Sequence, residues 1–480
     1  AHHRVCIVGS GPSAFYCAKY ILESRTVSGA HVDMLEKLPV PYGMMCLYGV
    51  APDHPEVKNV TDTFGQIAQH PRFRYFGNVE VGRDVSLQSL KERYSAVVLG
   101  YGADGNKIIL DAPEYRALRG VYSAREFVNW YNGHPDYVSY GEAFRLNNIK
   151  RVAIVGHGNV ALDCARILTK SVEELRKTDI ADHALAQLQS STVESVSLIG
   201  RRGPVQSSFT IKEFRELTRL GAGVRVVTEE SAFEEGLRDE ASRAAYEARR
   251  PVKRIVDLVK TTAGPVASDG EKGQKSIYVR YLLSPVGYIS KGNPLSEARL
   301  RMIEKKALGH TGSPLDSIAS LEVIPCDLVL MAVGYQSSPI AGADGSVPFD
   351  DTRNVVPNTA GRVQLDDSQG RGKGMLYAVG WVGRGPTGII GTNIPDAKRT
   401  AETLLNDLSA ICVDDVSDKD ADPKEYLLAQ AHLNQKKIIT WDEFLRIDTE
   451  ETRRGEESEP KRPRVKITNV AEMIRIAKDS

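Results

Sequence analysis

The sequence lacks cysteine pairs. Its six cysteines stand singly, with no CxxC pair and no spacing that suits zinc or an iron–sulfur cluster; they are Cys6, Cys17, Cys46, Cys164, Cys326 and Cys412. This absence argues against metal and dithiol chemistry and predicts no metal site. Unpaired thiols are typical of a protein from a reducing compartment.

The sequence also lacks an excess of charge and any long apolar run. Its 62 lysines and arginines balance 62 aspartates and glutamates. A neutral chain has no overall field that favours nucleic acid or a membrane, so a charged partner must meet a local patch. No apolar run approaches the length of a membrane span. We therefore expect no nucleic acid and no membrane span, and the lack of a long apolar heptad pattern favours a monomer.

A nucleotide-binding pattern of strand, glycine turn and helix opens the chain. The apolar run at residues 5–8 ends in Gly9 and Gly11 and precedes a helical pattern. Gly9 permits a tight turn, and Gly11 lets the backbone approach a pyrophosphate at the positive end of the helix. The next strand pattern ends in Glu36, whose carboxylate can accept hydrogen bonds from a ribose diol. The alternative is a strand–helix connection that merely contains glycine.

The same pattern recurs about one domain length later. At residues 152–161, Gly156 and Gly158 take the places of the first two glycines. This is an internal repeat of a dinucleotide-binding unit, and two such units are much more specific than one. The repeat predicts two nucleotide ligands; the alternative is one ligand and one degenerate site.

The second unit differs from the first at the end of its second strand. Arg201 and Arg202 stand where the first unit has Glu36. Guanidinium groups bind a 2′-phosphate that a carboxylate would repel. The second unit is therefore predicted to prefer NADP over NAD; the alternative is a solvated arginine pair that begins a loop.

Two basic segments follow the second unit. Lys212, Arg215 and Arg219 fall on one face of a predicted helix. The other segment contains the cations Arg243, Arg249, Arg250, Lys253, Arg254 and Lys260. In a neutral protein, clustered cations can steer an acidic partner, although charge on a helix face is also commonly just solvated.

A chain of 480 residues is too long for one compact core, so several domains are expected. We predict an α/β fold with two Rossmann-like dinucleotide-binding domains, the NADP domain inserted into the domain of the first unit. The domain of the first unit is expected to comprise residues 1–115 and 331–412, around a third glycine-rich loop at residues 382–391. The NADP domain would comprise residues 116–330, and a helical and charged extension residues 413–480. Within this extension, the charged run at residues 450–464 predicts a mobile segment.

Together, these motifs resemble the family of NADPH:adrenodoxin (ferredoxin) oxidoreductases of the mitochondrial type. The resemblance spans nearly the whole chain and is densest at residues 8–12, 49–59, 77–84, 158–163, 200–204 and 384–388. It implies that the first unit binds FAD and the second NADPH, and that single electrons pass to a small acidic [2Fe–2S] ferredoxin. A basic partner surface and a mitochondrial matrix location are likewise implied by the resemblance.

The resemblance also implies individual site residues. It assigns FAD contacts to Ser13, Glu36, Met44, Val81, Trp381, Gly388, Ile389 and Ile390. It assigns NADP contacts to His157, Gly158, Asn159, Val160, Arg201, Arg202, Glu213 and Gly388. Gly388 would then lie where nicotinamide meets flavin. His54 and Asp163 are expected to help move the flavin proton, or else to act as structural hydrogen-bond partners.

The sequence departs from the family's pattern in two places, and two other functions compete. The loop at residues 43–49 is one residue longer and lacks an arginine, and Gly383 stands where many members carry a lysine. A pyridine-nucleotide disulfide reductase would have the same layout, but it needs two cysteines near the first flavin loop, where Cys46 stands alone. The other alternative is a non-catalytic redox sensor that binds nucleotides without turnover.

Overall fold

The fold is built from strand–helix–strand units. The computed structural model describes residues 2–43, 48–107, 109, 118–238, 240–265, 273–289, 297–302, 321–343, 345–365, 374–410 and 422–479. The strands in chain order are β1 (Arg4–Val8), β2 (His31–Glu36), β3 (Phe73–Gly77), β4 (Ala96–Leu99), β5 (Gly105–Asn106), β6 (Val121–Ser123), β7 (Arg151–Val155), β8 (Ser195–Ile199), β9 (Val224–Thr228), β10 (Lys275–Arg280), β11 (Leu283–Ile289), β12 (Glu297–Met302), β13 (Leu321–Pro325), β14 (Leu328–Met331), β15 (Tyr335–Gln336), β16 (Asn358–Thr359), β17 (Arg362–Val363) and β18 (Met375–Ala378).

The helices lie between and after these strands. In chain order they are α1 (Pro12–Leu22), α2 (Pro55–Lys58), α3 (Val60–Ala68), α4 (Leu87–Arg93), α5 (Ala124–Tyr131), α6 (Tyr140–Phe144), α7 (Asn159–Thr169), α8 (Val172–Leu175), α9 (Asp182–Gln189), α10 (Ile211–Leu217), α11 (Ser231–Gly236), α12 (Glu240–Ala248), α13 (Arg250–Lys260), α14 (Trp381–Arg384), α15 (Asn393–Ser409), α16 (Pro423–Leu433), α17 (Trp441–Glu457) and α18 (Val470–Lys478). Among the described helices, none combines the length and the apolar character that a bilayer crossing requires.

The first sheet contains the first glycine unit at its centre. Its strand order is β16-β17-β18-β4-β1-β2-β3, with β18, β4, β1, β2 and β3 parallel to one another. The β1 side chains of Val5, Cys6 and Ile7 are fully buried because helices cover both faces of a parallel sheet. Helices α1 and α15 pack on one face of this sheet. The carboxyl end of β1 leads through the first glycine turn into the start of α1.

The second sheet repeats this arrangement and lies between the two parts of the first in the sequence. Its strand order is β6-β14-β7-β8-β10-β9, and all of its pairings are parallel. The unit β7–α7–β8 copies β1–α1–β2. A separate antiparallel sheet contains β11, β12 and β13. The predicted fold class, with one dinucleotide-binding unit inserted into the other, is confirmed.

The two crossings between the sheets pair with each other. β5 follows the first part of the first sheet, β15 follows the last strand of the second sheet, and the two are antiparallel. Tyr335 pairs with Asn106, and Gln336 with Gly105. The outgoing and returning chain therefore form one two-stranded connection. Two of the predicted domain boundaries, near residues 115 and 412, lie outside the described residues.

The prediction that residues 450–464 are mobile is wrong. The α17 helix extends through Glu457, and Glu451 and Arg462 are buried. Arg464 donates hydrogen bonds to Asp448 and Glu451, at 2.7 and 3.0 Å. The charge of this run therefore pairs within the fold, whereas the composition alone indicates a solvated segment.

Candidate active site

The turn between β1 and α1 forms an open cradle. Gly9 has a φ of +99°, and a Cβ there would lie 2.6 Å from the Gly100 carbonyl oxygen. Gly11 caps α1, and a Cβ on Gly11 would meet nothing within 4 Å. The first turn of α1 therefore faces open space with its N–H groups, as a pyrophosphate requires.

Glu36 is fixed beside this cradle. Its buried carboxylate accepts hydrogen bonds from the Ser10 N–H (3.1 Å), the Ser10 hydroxyl (2.6 Å) and the Leu38 N–H (3.1 Å). A carboxylate offers about four acceptor positions, so one acceptor position remains for a ribose hydroxyl. The residues of the first cradle fit the dinucleotide part of FAD.

The loop between β18 and α15 lies directly on the start of α1. The Ser13 hydroxyl donates to Asn393 Oδ1 at 2.8 Å. Gly380 has a φ of +75°, and a Cβ there would lie 2.2 Å from Ser13 Oγ. The Gly380 N–H donates to Asp396 at 2.7 Å. Sequence reasoning missed Asn393 and Asp396, because only their position at a predicted helix start marks them.

A second cradle lies between β7 and α7. Gly156 has a φ of +132°, and a Cβ there would lie 2.2 Å from the Ala332 carbonyl oxygen. Gly158 caps α7, and the nearest atom to a Cβ there is Ser208 Oγ at 4.0 Å. Asn159 Oδ1 accepts a hydrogen bond from the Thr210 N–H at 2.8 Å. The geometry repeats that of the first cradle.

His157 is neutral in this cradle. Burial, together with the nearby Arg202 charge, lowers its pKa to about 4, although its hydrogen bond to the Leu198 carbonyl opposes the shift. The Nε2 atom lies 3.1 Å from the Leu198 oxygen, and the ring packs edge-on against Tyr281. His157 therefore supplies no positive charge to a phosphate at neutral pH.

Arg201 and Arg202 carry positive charge at this end of the cleft. Both are exposed and directly follow β8. Within the described part of the chain, no carboxylate lies within ion-pair distance of either guanidinium. Two uncompensated guanidinium groups at the end of a strand in a glycine unit fit a 2′-phosphate.

One large cleft brings most of the predicted residues together. It has a volume of about 1160 Å³ and extends from Arg201 and Arg202 to the loop that lies on α1. The predicted residues that line it are His54, Gly156, His157, Gly158, Asn159, Val160, Asp163, Arg201, Arg202, Glu213, Trp381, Gly388, Ile389 and Ile390. The cleft thus begins at the second cradle and ends at the loop that contacts the first.

Other predicted residues lie outside the lining of this cleft. Gly9, Gly11, Ser13 and Glu36 form the first cradle. Val81 is buried among apolar side chains of the first sheet and pairs with Val85. Met44 and Cys46 lie outside the described residues.

An aromatic pair that sequence reasoning missed lies at the far end of the cleft. Tyr335 of the returning connection stacks on Trp381, with 5.4 Å between ring centroids and an interplanar angle of 25°. Both residues line the cleft. Tyr335 lies four residues after the end of β14, and no local pattern there reveals its partner.

A dense charge cluster lies between the two units, beside the cleft. His54 Nε2 is 2.6 Å from Glu216 and 3.9 Å from Glu213. The Arg166 guanidinium lies 2.7 Å from Asp163 and 3.5 Å from Glu213. The structure therefore places the predicted pair His54 and Asp163 in one network, with Arg166 as a residue that sequence reasoning missed.

The carboxyl groups of this cluster have unequal proton affinities. Burial raises the pKa of Asp163 despite the attraction of Arg166. Burial and the charge of Asp163 raise the pKa of Glu213. Burial also works to raise the pKa of Asp53, but Arg166 and Lys170 outweigh it and hold that pKa well below its usual range. The cluster can hold a proton on its cleft side and stay ionised on the other.

Three of these groups are close enough to hold a metal ion. Ligand atoms of His54, Asp163 and Glu213 lie within 4.8 Å of one another. The Arg166 guanidinium already donates to both carboxylates, so it supplies the positive charge that an ion would bring. We assign no metal to this group.

The cations that are predicted to meet an acidic partner, Lys212, Arg215 and Arg219, differ in whether a carboxylate lies close to them. Lys212 Nζ lies 2.7 Å from Glu56 and 3.8 Å from Glu216. For Arg215 and Arg219, the described residues include no carboxylate within 4.0 Å. The second basic segment forms α12 and α13, with exposed cations at Arg243, Arg249, Arg250, Lys253, Arg254 and Lys260.

Comparison with known proteins agrees with this geometry. The model of the family described as "Pyridine nucleotide-disulphide oxidoreductase" matches residues 3–380. The mitochondrial NADPH:adrenodoxin oxidoreductase of Salvelinus fontinalis is 41% identical, over 99% of this chain and 91% of its own. The NADPH-ferredoxin reductase FprA of Mycobacterium leprae is 37% identical, over 99% of this chain and 98% of its own.

A solved structure extends the likeness to three dimensions. Mycobacterium tuberculosis FprA in complex with NADPH is 34% identical, covers 100% of both chains and has a TM-score of 0.87. The similarity over the full length therefore supports the same family as the two glycine cradles and the cleft that runs from the second cradle towards the first. This chain belongs to the pyridine nucleotide-disulphide oxidoreductase family, among the NADPH:adrenodoxin and NADPH-ferredoxin reductases.

Proposed function

We propose that this chain is an NADPH-dependent flavoprotein reductase that binds FAD in the first unit, NADPH in the second, and reduces a small acidic [2Fe–2S] ferredoxin. The observation that carries this proposal is the loop at residues 380–391. It contacts Ser13 of the first cradle, and its residues Gly388 to Gly391 line the cleft that begins at the second cradle. FAD, when bound, accepts two electrons from NADPH and releases them one at a time.

The chain's own residues orient the two nucleotides. The N–H groups at the starts of α1 and α7 would hold the pyrophosphates, because the positive end of a helix favours negative charge. Arg201 and Arg202 would bind the 2′-phosphate of NADPH, and Glu36 a ribose of FAD. Trp381 and Gly388 would then border the place where nicotinamide meets flavin. The resemblance also assigns FAD contacts to Met44 and Val81, and we include both residues in the proposed FAD site.

His54 and Asp163 would hold and transfer the proton that accompanies reduction of the flavin. His54 Nε2 is within hydrogen-bond reach of Glu216, whose side chain is 32% exposed. A proton can therefore move between solvent, Glu216 and His54. Asp163 also lines the cleft, and its raised pKa lets it hold a proton nearer to neutral pH than an ordinary aspartate.

The acidic partner would dock on the exposed cations of the second unit. Arg215 and Arg219 extend from α10 and its C-terminal end, next to the cleft residue Glu213. Lys212 contributes less, because Glu56 already neutralises it. The cations of α12 and α13 would add long-range attraction, which steers association more than it adds affinity.

The remaining parts of the proposal concern organisation and location. We assign residues 1–115 and 331–412 to the FAD domain, residues 116–330 to the NADP domain and residues 413–480 to the extension. The similar mitochondrial proteins support a location in the mitochondrial matrix, although the mycobacterial relative shows that the group is not confined to mitochondria. The monomer rests on the lack of a long apolar heptad pattern in the sequence. Sedimentation and cell fractionation test these two points.

Anaerobic addition of NADPH to the purified holoenzyme tests the central step. Loss of flavin absorbance is the expected result, and an unchanged spectrum would support a nucleotide-binding sensor instead. A second assay measures NADPH-dependent cytochrome c reduction with and without a [2Fe–2S] ferredoxin. Acceleration by the ferredoxin supports the proposed acceptor, whereas equal rates would reject it.

A further inference from the structure

The chain segment at residues 48–58, called here the cleft segment, forms one wall of the cleft. Its residues Gly49, Val50, Ala51, His54 and Val57 line the cleft. The segment belongs to the first unit in sequence, but its anchors lie elsewhere. These anchors, together with the contacts of Asp53 and His54, fix the backbone of the segment along the cleft.

Asn132 anchors the beginning of the cleft segment. It caps the C-terminal end of α5 in the second unit and is fully buried. Its Nδ2 atom donates hydrogen bonds to the carbonyl oxygens of Tyr48 and Val50, both at 3.1 Å. A buried amide that pairs with two carbonyl groups fixes the backbone on either side of Gly49.

Asp179 anchors the end of the cleft segment. Its carboxylate, 7% exposed, lies 2.6 and 2.7 Å from Nζ of Lys58, the last residue of α2. Burial works to raise the pKa of Asp179, but the ammonium groups of Lys466 and Lys58 lower it below its usual value. Asp179 therefore stays ionised and holds Lys58.

Lys466 of the C-terminal extension contacts both anchors at once. Its side chain is 1% exposed, and Nζ lies 3.3 Å from Asn132 Oδ1 and 3.5 Å from Asp179 Oδ2. Arg462 fixes the same stretch to the second unit, since its guanidinium donates to Asp182 and to the carbonyl oxygens of Thr178 and Ile180. The last part of the chain thus lies where the two units meet.

We propose that Lys466 is a positioning residue for the reductase reaction: by holding Asn132 and Asp179 together, it sets the cleft segment against the nicotinamide end of the cleft. This inference rests on the proposed function. Lys466 does not line the cleft itself, so its effect on the rate is indirect and passes through the two anchors. Small misplacements of this kind cost rate, because reacting groups must meet at close distance.

The test compares three holoenzyme variants with the wild type. Lys466→Met removes the amino group and keeps most of the length of the side chain. Asn132→Asp keeps the contact with Lys466 but replaces the donor that holds Tyr48 and Val50. Arg475→Met is the matched control, because the exposed Arg475 pairs only with Asp479 at the end of its own helix among the described ion pairs. Stopped flow measures flavin reduction by NADPH, and titration measures binding of 2′,5′-ADP.

We expect Lys466→Met and Asn132→Asp each to slow flavin reduction roughly ten- to a hundredfold while 2′,5′-ADP binds as in the wild type. The double variant should be no slower than the slower single variant, since both act on one segment. Unchanged flavin reduction in either variant, or loss of 2′,5′-ADP binding in parallel, overturns the inference. If Lys466→Met fails to retain FAD, Asn132→Asp decides the outcome. A wild type that NADPH does not reduce would contradict the proposed function instead.

Discussion

The Asp53 carboxylate accepts two hydrogen bonds from the Arg166 guanidinium, at 2.8 and 3.1 Å, across the junction of the two nucleotide-binding units. Their side chains are 6% and 2% exposed. Lys170 adds a third contact to Asp53 at 2.9 Å. This buried ion pair links the cleft segment to α7. Removing one partner would leave the other charge buried and unpaired.

Replacing Arg166 by methionine should therefore destabilise the protein by about 3–5 kcal/mol, the usual cost of breaking a buried ion pair by removing one partner. Urea unfolding, followed by circular dichroism, measures the change in the free energy of unfolding. Arg453→Met is the control, because Arg453 is exposed and pairs only within α17 among the described ion pairs. Equal stability of the two variants would contradict the role assigned to Arg166.

The double variant Arg201→Ala/Arg202→Ala should raise the KM for NADPH roughly a hundredfold and leave the KM for NADH unchanged. The reason is that hydrogen bonds from charged groups contribute about 1.5–3 kcal/mol each, and only NADPH carries the 2′-phosphate. Steady-state kinetics with both nucleotides checks this, with Arg475→Ala as the control. A preference for NADPH that survives the substitution would refute the assignment.

Gly11→Ala should produce a folded protein that has lost its affinity for FAD. Gly11 has a φ of −74°, which alanine adopts without strain, and a Cβ there meets no protein atom within 4 Å. The methyl group would instead enter the space assigned to the pyrophosphate. Absorbance and circular dichroism after purification report FAD content and folding. Gly223→Ala, at a second open position, should retain FAD; full FAD content in both variants would argue against the cradle.

His157 should make the stability of the protein fall as the pH drops. Its pKa is about 4 in the folded protein and near 6.5 when exposed, so the unfolded chain binds the proton more readily between these values. The stabilisation is complete above about pH 6.5, and about 3 kcal/mol of it is lost as the pH falls towards 4. His157→Gln keeps a donor for the Leu198 carbonyl and does not titrate.

The measurement for His157 is the difference in unfolding free energy between the wild type and His157→Gln at several pH values. His134, whose pKa burial also lowers to about 4, is present in both proteins and cancels from the difference. We expect the difference to change between pH 6.5 and 4 and to stay constant above that range. A constant difference throughout would show that His157 does not titrate as inferred.

Charge reversal of the docking cations should weaken the partner interaction unequally. Arg215→Glu and Arg219→Glu are expected to raise the KM for a [2Fe–2S] ferredoxin more than Lys212→Glu does, because Lys212 is already paired with Glu56. The effect should shrink as salt increases, since exposed charges are screened. NADPH-dependent ferricyanide reduction is the control and should not change. A larger effect at Lys212 would contradict the proposed surface.

Local chemistry explains why the two cradles were predictable. Gly9 and Gly156 adopt positive φ values next to a carbonyl oxygen from a neighbouring strand end, a place that only glycine fills. The same holds for Glu36 and the arginine pair, because a residue at the end of a parallel strand faces the ligand edge of the sheet. In each unit, the glycines and the strand-end residues lie within about fifty residues of one another. A pattern in the linear sequence can therefore reveal them.

The charged C-terminal run shows where such reasoning fails. Composition indicates a mobile segment at residues 450–464, whereas Arg462 and Glu451 are buried with partners. Asp182 lies 280 positions from Arg462, so no local pattern connects them. The pairing of Arg166 with Asp53 and of Lys466 with Asp179 was missed for the same reason.

The sequence alone was enough to predict two glycine cradles, the carboxylate at one and the guanidinium groups at the other, and the family to which the chain belongs. The tertiary structure was needed to show that one cleft runs from the second cradle to the loop that lies on the first, that buried ion pairs join the two units beside it, and that the end of the chain contacts both anchors of the cleft segment. The physical reason is distance along the chain: backbone conformation and strand-end chemistry depend on neighbours in sequence, whereas the desolvation and pairing of charge depend on neighbours in space.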